Sequence, residues 1–402
     1  MRVLFADPID ESRLGRLRSA GHDCVVENLT AAELPGEISG FDTLVVRSTK
    51  VTSDTIAAAD RLELIVRAGA GIDNIDRASA SAAGIYLCNV PGRNAVAVAE
   101  LTLGLLLAVD RHIPDGVADL RASRWDKTRY GSADGLSGKH LAIVGLGDVG
   151  LAVAERAKAF GMTIGVIRKD ERSPAIKAKI RGIGIRLADD LDSLLAEADV
   201  VSLHVPKSPD TTGLVSRKFL AAMPDGAIVL NTSRGDVINE AALLDALNTR
   251  GFRAGLDVFA DEPTTPTGPW TSPLASHPSV VGSHHIGAST RQAQASVADG
   301  VVEVIEAFIA GDPPNCLNIV QNPTDARCLS IRHLDRVGVL AQILNVLGRS
   351  GLNVQQMQNQ VFEGGNAAVA TINLHGEISR ALLDQLQAID EVISAIETGE
   401  TS

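Results

Sequence analysis

Arg234, Glu262 and His285 each stand just beyond a short apolar run. Their contexts are Asn231-Thr232-Ser233-Arg234-Gly235, Asp257-Val258-Phe259-Ala260-Asp261-Glu262-Pro263 and Ser283-His284-His285-Ile286-Gly287. Interconverting a 2-hydroxy acid and a 2-keto acid needs such a set. A guanidinium grips the carboxylate in a bidentate way and polarises the carbonyl. An imidazole that titrates near neutrality exchanges the proton of the alcohol oxygen. A carboxylate beside the imidazole favours its protonated form and fixes its orientation. A lone Arg, Glu or His in a loop is ordinarily solvated or structural. Three complementary groups at successive strand ends are harder to dismiss.

Such chemistry needs a hydride carrier, and the chain offers a place for one. Gly145-Leu146-Gly147-Asp148-Val149-Gly150 follows an apolar strand and opens a helix rich in Ala and Val. In that setting Gly145 makes the tight turn, Gly147 lets backbone approach a pyrophosphate, and Gly150 permits close helix–sheet packing. The helix N-terminus supplies free N–H groups to the phosphates. An acidic residue about 20 positions on ordinarily holds the ribose 2′-hydroxyl. Here the second strand runs into Arg168-Lys169-Asp170. The two cations would pair with the 2′-phosphate of NADP, whereas Asp170 bending back would hold the ribose of NAD. Both cofactors stay open.

The elements that must carry these residues read as α/β throughout most of the chain. Expected strands are Val3–Ala6, Thr43–Val46, Leu64–Val66 and Ile85–Leu87, separated by helical stretches such as Glu11–Ala20 and Ser53–Ala59, then a long helix over about Ala95–Asp110. A second block follows with strands Leu141–Val144, Thr163–Ile167, Val200–Leu203, Ala227–Leu230, Ala254–Val258 and Val280–Gly282. Short apolar runs alternating with helices predict parallel sheets. Gly311-Asp312-Pro313-Pro314 and Asn322-Pro323-Thr324 read as a linker. Beyond it a strand through Leu329 and Ile331, helix Val337–Arg349, two strands about the turn Glu363-Gly364-Gly365-Asn366, helix Arg380–Ala388 and a strand over Val392–Ile396 give the ferredoxin-like order βαββαβ.

At 402 residues the chain should form two or three domains, and a 45% hydrophobic fraction is ample for their cores. The net charge of −12 argues against nucleic acid and anionic membrane as partners. Cys24, Cys88, Cys316 and Cys328 are scattered without a CxxC or Cys/His cluster, so neither a disulfide framework nor a metal site is expected. Reduced thiols and an N-terminus without a secretory apolar run point to the cytoplasm. The greasiest run, Leu101–Val109, is too short to span a bilayer.

Over residues 1–318 the sequence resembles the D-isomer-specific 2-hydroxyacid dehydrogenase family. The resemblance is carried by Val46-Arg47-Ser48-Thr49-Lys50-Val51-Thr52, by Arg67-Ala68-Gly69-Ala70-Gly71-Ile72-Asp73-Asn74-Ile75-Asp76, and by Asn89-Val90-Pro91-Gly92-Arg93-Asn94. The glycine motif, His204-Val205-Pro206, Thr211-Thr212-Gly213 and the three catalytic segments complete it. The resemblance implies a discontinuous, flavodoxin-like substrate domain (1–97 and 286–318) around a Rossmann cofactor domain (98–285). It makes Arg234 the carboxylate ligand and His285, paired with Glu262, the acid/base. It sets Gly145, Gly147, Asp148, Val149, Gly150, Arg168, His204, Val205, Pro206, Thr232, Ser233, Asp257, Gly287 and Ala288 around NAD or NADP, with Asp257 at the nicotinamide amide.

Within the family the match is to the branch that oxidises 3-phospho-D-glycerate in L-serine synthesis. Arg47, Ser48, Arg67, Gly69, Asn94 and Arg111, the last from a neighbouring subunit of a homo-oligomer, would then bind a phosphorylated substrate. An NADPH-dependent glyoxylate or hydroxypyruvate reductase is the alternative, and a non-catalytic NAD(H)-binding co-repressor a remote one. Departures are Arg168 in place of an acid, His284 in place of a common proline, and Ala70 in place of a frequent threonine. Residues 326–398 resemble an ACT domain. Serine-inhibited relatives use residues equivalent to His333, Asp335 and Asn353 as effector ligands. Asp335 and Val337 depart from that pattern, in which asparagine and proline stand there.

Overall fold

The computed structural model describes residues 1–263, 267–320 and 327–398. Asn322-Pro323-Thr324, half of the expected linker, lies outside the described residues. The chain divides into one compact unit ending at Asn318 and a second starting at Ile319.

The first unit contains two parallel sheets. Strands β1 (Arg2–Phe5), β2 (Asp23–Val26), β3 (Thr43–Val46), β4 (Leu64–Arg67) and β5 (Tyr86–Asn89) form one, in the flavodoxin-like order β2-β1-β3-β4-β5. The other is a Rossmann sheet of β6 (His140–Val144), β7 (Thr163–Ile167), β8 (Arg186–Ala188), β9 (Val200–Leu203), β10 (Ile228–Asn231), β11 (Arg253–Leu256) and β12 (Val280–Gly282). Its order is β12-β11-β10-β9-β6-β7-β8, so the first strand after the crossover, β6, lies centrally. Central strands are buried along their whole length and nearly all apolar: Thr43–Val46, Val200–Leu203 and Ile228–Asn231 are buried at every residue. Helices cover both faces, which leaves no position for an alternating pattern.

Two strands had no expectation in the sequence. β2 and β8 are sheet edges with a single partner each, so they need no continuous apolar run. Elsewhere the differences are at ends: β5 extends to Asn89, β10 is Ile228–Asn231, and β11 stops at Leu256, leaving Asp257 and Val258 to the loop.

Two long helices tie the sheets to the cleft between them. Helix Ala95–Asp110 buries Leu103, Leu105, Leu106 and Val109 in one core with Ile228 and Leu230 of β10. Helix Arg291–Ile309 carries Val301, Val302, Val304 and Ile305 back into a core with Val3 and Phe5 of β1. The chain thus returns to its first sheet after completing its second.

The second unit is a four-stranded antiparallel sheet of β13 (Arg327–Leu334), β14 (Asn353–Val361), β15 (Ala367–His375) and β16 (Val392–Thr398), ordered β14-β15-β13-β16. Helices Val339–Arg349 and Arg380–Gln387 cover one face through Ile343, Leu347, Leu382 and Leu386. The first begins at Val339 because Gly338, at φ +92°, turns the chain into it. Together these make the βαββαβ order of a ferredoxin-like module.

Leu106 is fully enclosed midway along the helix whose N-terminal turn borders the cleft. Leu106→Ala should cost about 2–5 kcal/mol of the first unit's stability, read by urea unfolding.

Candidate active site

His285 sits in a loop that a single carboxylate organises. Asp257, buried just past β11, accepts hydrogen bonds from the Ser283 hydroxyl (2.6 Å), Ile286 N–H (2.9 Å) and Gly287 N–H (2.8 Å). Its own carbonyl accepts the His285 N–H at 2.8 Å. So held, His285 adopts φ +52°, a left-handed conformation that costs a non-glycine residue free energy and persists where surroundings over-determine it. The imidazole Nδ1 lies 2.7 Å from Glu262 Oε2, while Glu262 Oε1 accepts the Phe259 N–H at 2.8 Å. With Nδ1 bonded to a carboxylate, Nε2 is the nitrogen left for proton exchange, and the ring is half exposed.

Three guanidiniums converge nearby. Arg234 follows β10, where Asn231 fastens the turn by accepting the Ser233 N–H and hydroxyl and donating to the Arg234 carbonyl. Arg234 Nε donates to Asp73 Oδ2 at 2.8 Å, and its Nη2 lies 2.1 Å from where a Cβ on Gly71 would be. Arg67, at the end of β4, folds over Gly69, whose Cβ would come within 1.7 Å of Nη1. Its Nε is buried without a hydrogen-bond partner among the described residues. Burial, then Arg234 and Arg47, pull its pKa down to about 10. Arg47 reaches Ser289 with Nη2 at 3.4 Å. The Asp7 carboxylate accepts the backbone N–H groups of Arg47, Ser48 and Thr49, which fixes the loop after β3. Positive charge gathered around an unpartnered buried donor is a site for an anion.

The glycine turn lies at the end of β6. Gly145, at φ +97°, packs so tightly that a Cβ would fall 2.2 Å from the His204 carbonyl oxygen; one on Gly150 would meet the Gly145 carbonyl oxygen at 2.3 Å. Gly147 differs, with open space beside it, and it begins helix Asp148–Ala159 without a side-chain cap. The first turn therefore keeps donors for an incoming phosphate, and the cradle fits a dinucleotide. Val149 packs on the core behind it, and Asp148 faces Gly92. At the adenosine end Arg168 Nε pairs with Asp189 at 3.1 Å in an exposed contact. His204 Nε2 meets the Ser202 hydroxyl at 2.7 Å, leading into Val205 and Pro206. The Thr232 hydroxyl bonds Thr102 at 2.9 Å, which links β10 to helix Ala95–Asp110. Gly287 and Ala288 follow His285 directly, with Gly287 close against Val98.

Comparison with known proteins adds the family. A model described as "D-isomer specific 2-hydroxyacid dehydrogenase, NAD binding domain" matches residues 103–287, and one described as "AHAS small subunit-like ACT domain" matches residues 329–394. The D-3-phosphoglycerate dehydrogenase of Mycobacterium tuberculosis is 36% identical over 406 residues, covering 100% of this chain and 74% of that protein. The chain belongs to the D-isomer specific 2-hydroxyacid dehydrogenases. The D-3-phosphoglycerate dehydrogenase of Methanocaldococcus jannaschii is 40% identical over 328 residues, 81% of this chain; the chain spans only 61% of that relative's length. The hydroxypyruvate reductase of Thermotoga maritima is 41% identical over 307 residues, 76% of this chain and 97% of that protein. A D-isomer specific 2-hydroxyacid dehydrogenase works with a nicotinamide dinucleotide, NAD or NADP, and the cradle at Gly147 has the shape and donors for its phosphates.

Some expected site residues stand apart in this dehydrogenase. Asn94 caps helix Ala95–Asp110 at the cleft end, whereas Arg111 ends the same helix, about 25 Å away at 1.5 Å per residue. One chain therefore does not bring Arg111 to the other cations. In the ACT unit His333 is buried, its ring nitrogens engaged by the Leu334 carbonyl (2.8 Å) and the Asn359 side chain (3.1 Å). Asp335 is exposed beside it. Opposite His333 on β15 stands Ala368, while Asn353 stands opposite His375, so seven residues or about 23 Å along the strand separate His333 from Asn353. Within one copy the three do not meet. Among the described residues no His/Cys/Asp/Glu group is arranged to hold a metal, and no helix is long and apolar enough to cross a membrane.

Sequence reasoning missed Asp7, Asp73 and the anchoring use of Asp257. Asp7 offered a signal, an acid just past a buried strand in open α/β architecture. Asp73 offered none, because its partner is distant in sequence.

Burial pulls His204 down from 6.5 to about 4. Between those values the unfolded chain binds a proton that the folded one refuses, so stability falls as pH drops from about 6.5 to about 4. His204→Gln should remove on the order of 2–3 kcal/mol of that loss, seen as a shallower fall of chemical-denaturation stability with acid.

Proposed function

We propose that this chain oxidises 3-phospho-D-glycerate to 3-phosphohydroxypyruvate with NAD or NADP, the first step of L-serine synthesis. The observation that carries the reading is Arg67: a half-buried guanidinium with an unpartnered Nε, crowded by Arg47 and Arg234. Three cations in one cleft exceed what a single carboxylate requires, and a second anionic group on the substrate accounts for the surplus. The mycobacterial and archaeal relatives named for this activity support it.

In this reading Arg234 holds the carboxylate, while Arg47 and Arg67 hold the phosphate with Ser48, Gly69 and Asn94 around them. Nε2 of His285 takes the proton of the C2 hydroxyl. Glu262 stabilises the imidazolium so formed and stops the ring from turning. A nicotinamide dinucleotide held at the Gly145–Gly150 turn would supply the acceptor for the C2 hydride. Residues 1–97 and 286–318 close against 98–285 to exclude water during the transfer. Preference between NAD and NADP turns on whether Arg168 keeps Asp189 or takes up a 2′-phosphate.

The active form is a homo-oligomer in which a neighbour supplies Arg111. The ACT unit binds an amino-acid effector, serine, at a contact between copies, since His333 and Asn353 of one copy lie too far apart to share it.

Initial rates with phosphohydroxypyruvate, hydroxypyruvate, glyoxylate and 2-ketoglutarate, each with NADH and NADPH, test the substrate. A preference for unphosphorylated hydroxypyruvate would instead make the chain a reductase like its Thermotoga relative. Arg47→Ala should raise KM for phosphohydroxypyruvate at least about tenfold and leave glyoxylate within about twofold; equal effects would refute the phosphate assignment. His285→Gln should lower kcat by about 10²–10⁴ while nucleotide affinity holds.

A further inference from the structure

Away from the cleft, two cysteines face each other. Cys88 on β5 is fully buried and forms an isolated antiparallel bridge with Cys316, in the segment by which the chain leaves its first unit. The Leu317 N–H donates to the Leu87 carbonyl at 2.8 Å. With that bond flanking the bridge, Cys88 and Cys316 are its closely spaced, non-hydrogen-bonded pair. Such a pair sets its Cα atoms about 4.5 Å apart, within the roughly 4.4–6.8 Å that a disulfide spans. Cys316 lies near enough to Cys88 to help burial push its thiol pKa up. Asn318 holds the segment in register. Its Oδ1 accepts the Leu87 N–H (2.9 Å) and the Cys316 thiol (3.4 Å), and its Nδ2 donates to the Ile85 carbonyl (2.7 Å).

We propose that Cys88 and Cys316 are a modification site, closing to an intramolecular disulfide when the chain meets a two-electron oxidant of the peroxide class. The two sulfurs differ in access. Cys316 is partly exposed, whereas Cys88 is sealed in the core, its thiol pushed up to about 12 by burial and by its neighbour. Cys316 is thus the sulfur that meets the oxidant. Its thiolate attacks one peroxide oxygen, the O–O bond breaks, and the departing oxygen leaves as water after taking a proton. The resulting sulfenic acid is next to Cys88. The Cys88 sulfur displaces the hydroxyl, the S–S bond forms, and the hydroxyl leaves as a second water with the Cys88 proton. Two thiols have lost two electrons and two protons, and one hydrogen peroxide has become two waters.

The cross-link would tie β5 to the exit segment and enclose all of β6–β12 in a covalent loop. A loop that long restricts the unfolded chain strongly. Asn89, the next residue on β5, donates to the Ala70 carbonyl at 2.6 Å, so the staple lies one residue from the loop that follows Arg67 and carries Asp73.

The test uses the full chain carrying Cys24→Ala and Cys328→Ala, treated with hydrogen peroxide. The expected result is a loss of about 2 Da, two thiols that resist alkylation after unfolding, and a reducible peptide joining residues 88 and 316. The melting midpoint should rise by about 5 °C and return on reduction. Cys316 carried to the sulfinic acid with Cys88 still alkylatable would overturn the proposal, as would a disulfide-linked dimer on a non-reducing gel. An unchanged midpoint despite the mass loss would remove the staple. Should that background fold poorly, Cys316→Ser alone must abolish the 2-Da loss, and its persistence would also overturn the assignment.

Discussion

Like charges held together dominate this molecule. Arg47, Arg67 and Arg234 come from three different strand ends, and Arg234 and Arg47 both disfavour the charge of Arg67. Nothing in hydrophobic burial would gather them. What holds them is backbone: β3, β4 and β10 end at one edge of the cleft, and the turns that follow are fastened by side-chain oxygens of Asp7 and Asn231. The repulsion is therefore stored by the fold, and an anionic ligand relieves it. Binding free energy of that kind is realised by the ligand without rearranging the scaffold, which is what preorganisation means in an electrostatic site.

A second constraint is shared by the acid/base loop. Asp257 spends its carboxylate on Ser283, Ile286 and Gly287, and Glu262 spends one oxygen on Phe259. Carboxylates here act first as acceptors for backbone N–H groups and only then as charges. The loop gains a definite shape at the end of a three-residue strand that would give it little support alone.

The sequence revealed this design unevenly. Parallel strands such as Val200–Leu203 were legible because burial on both faces demands continuous apolar runs, and the glycine turn because each glycine answers a separate steric demand. Arg234, Glu262 and His285 were legible because reaction chemistry prescribes their types and sheet topology their locations. Edge strands β2 and β8 were not, since one partner imposes little pattern. Nor was Asp73, whose role exists only once β4 and β10 end side by side. For His333, Asp335 and Asn353 the sequence carried a resemblance but not a location: antiparallel pairing through β15 sends two of them to one end of the sheet and one to the other within a single copy.

The backbone at position 285 also acts as a filter on what evolution or engineering can put there. A left-handed φ admits Gly, Asn, Asp and His far more readily than Val, Ile or Thr, whose branched Cβ collides with the adjoining peptide. Substitutions at this position thus fail for two separable reasons, misfolding of the turn or loss of the titrating ring. Asparagine is the replacement that preserves shape while deleting chemistry, so it would yield an inert but correctly folded protein.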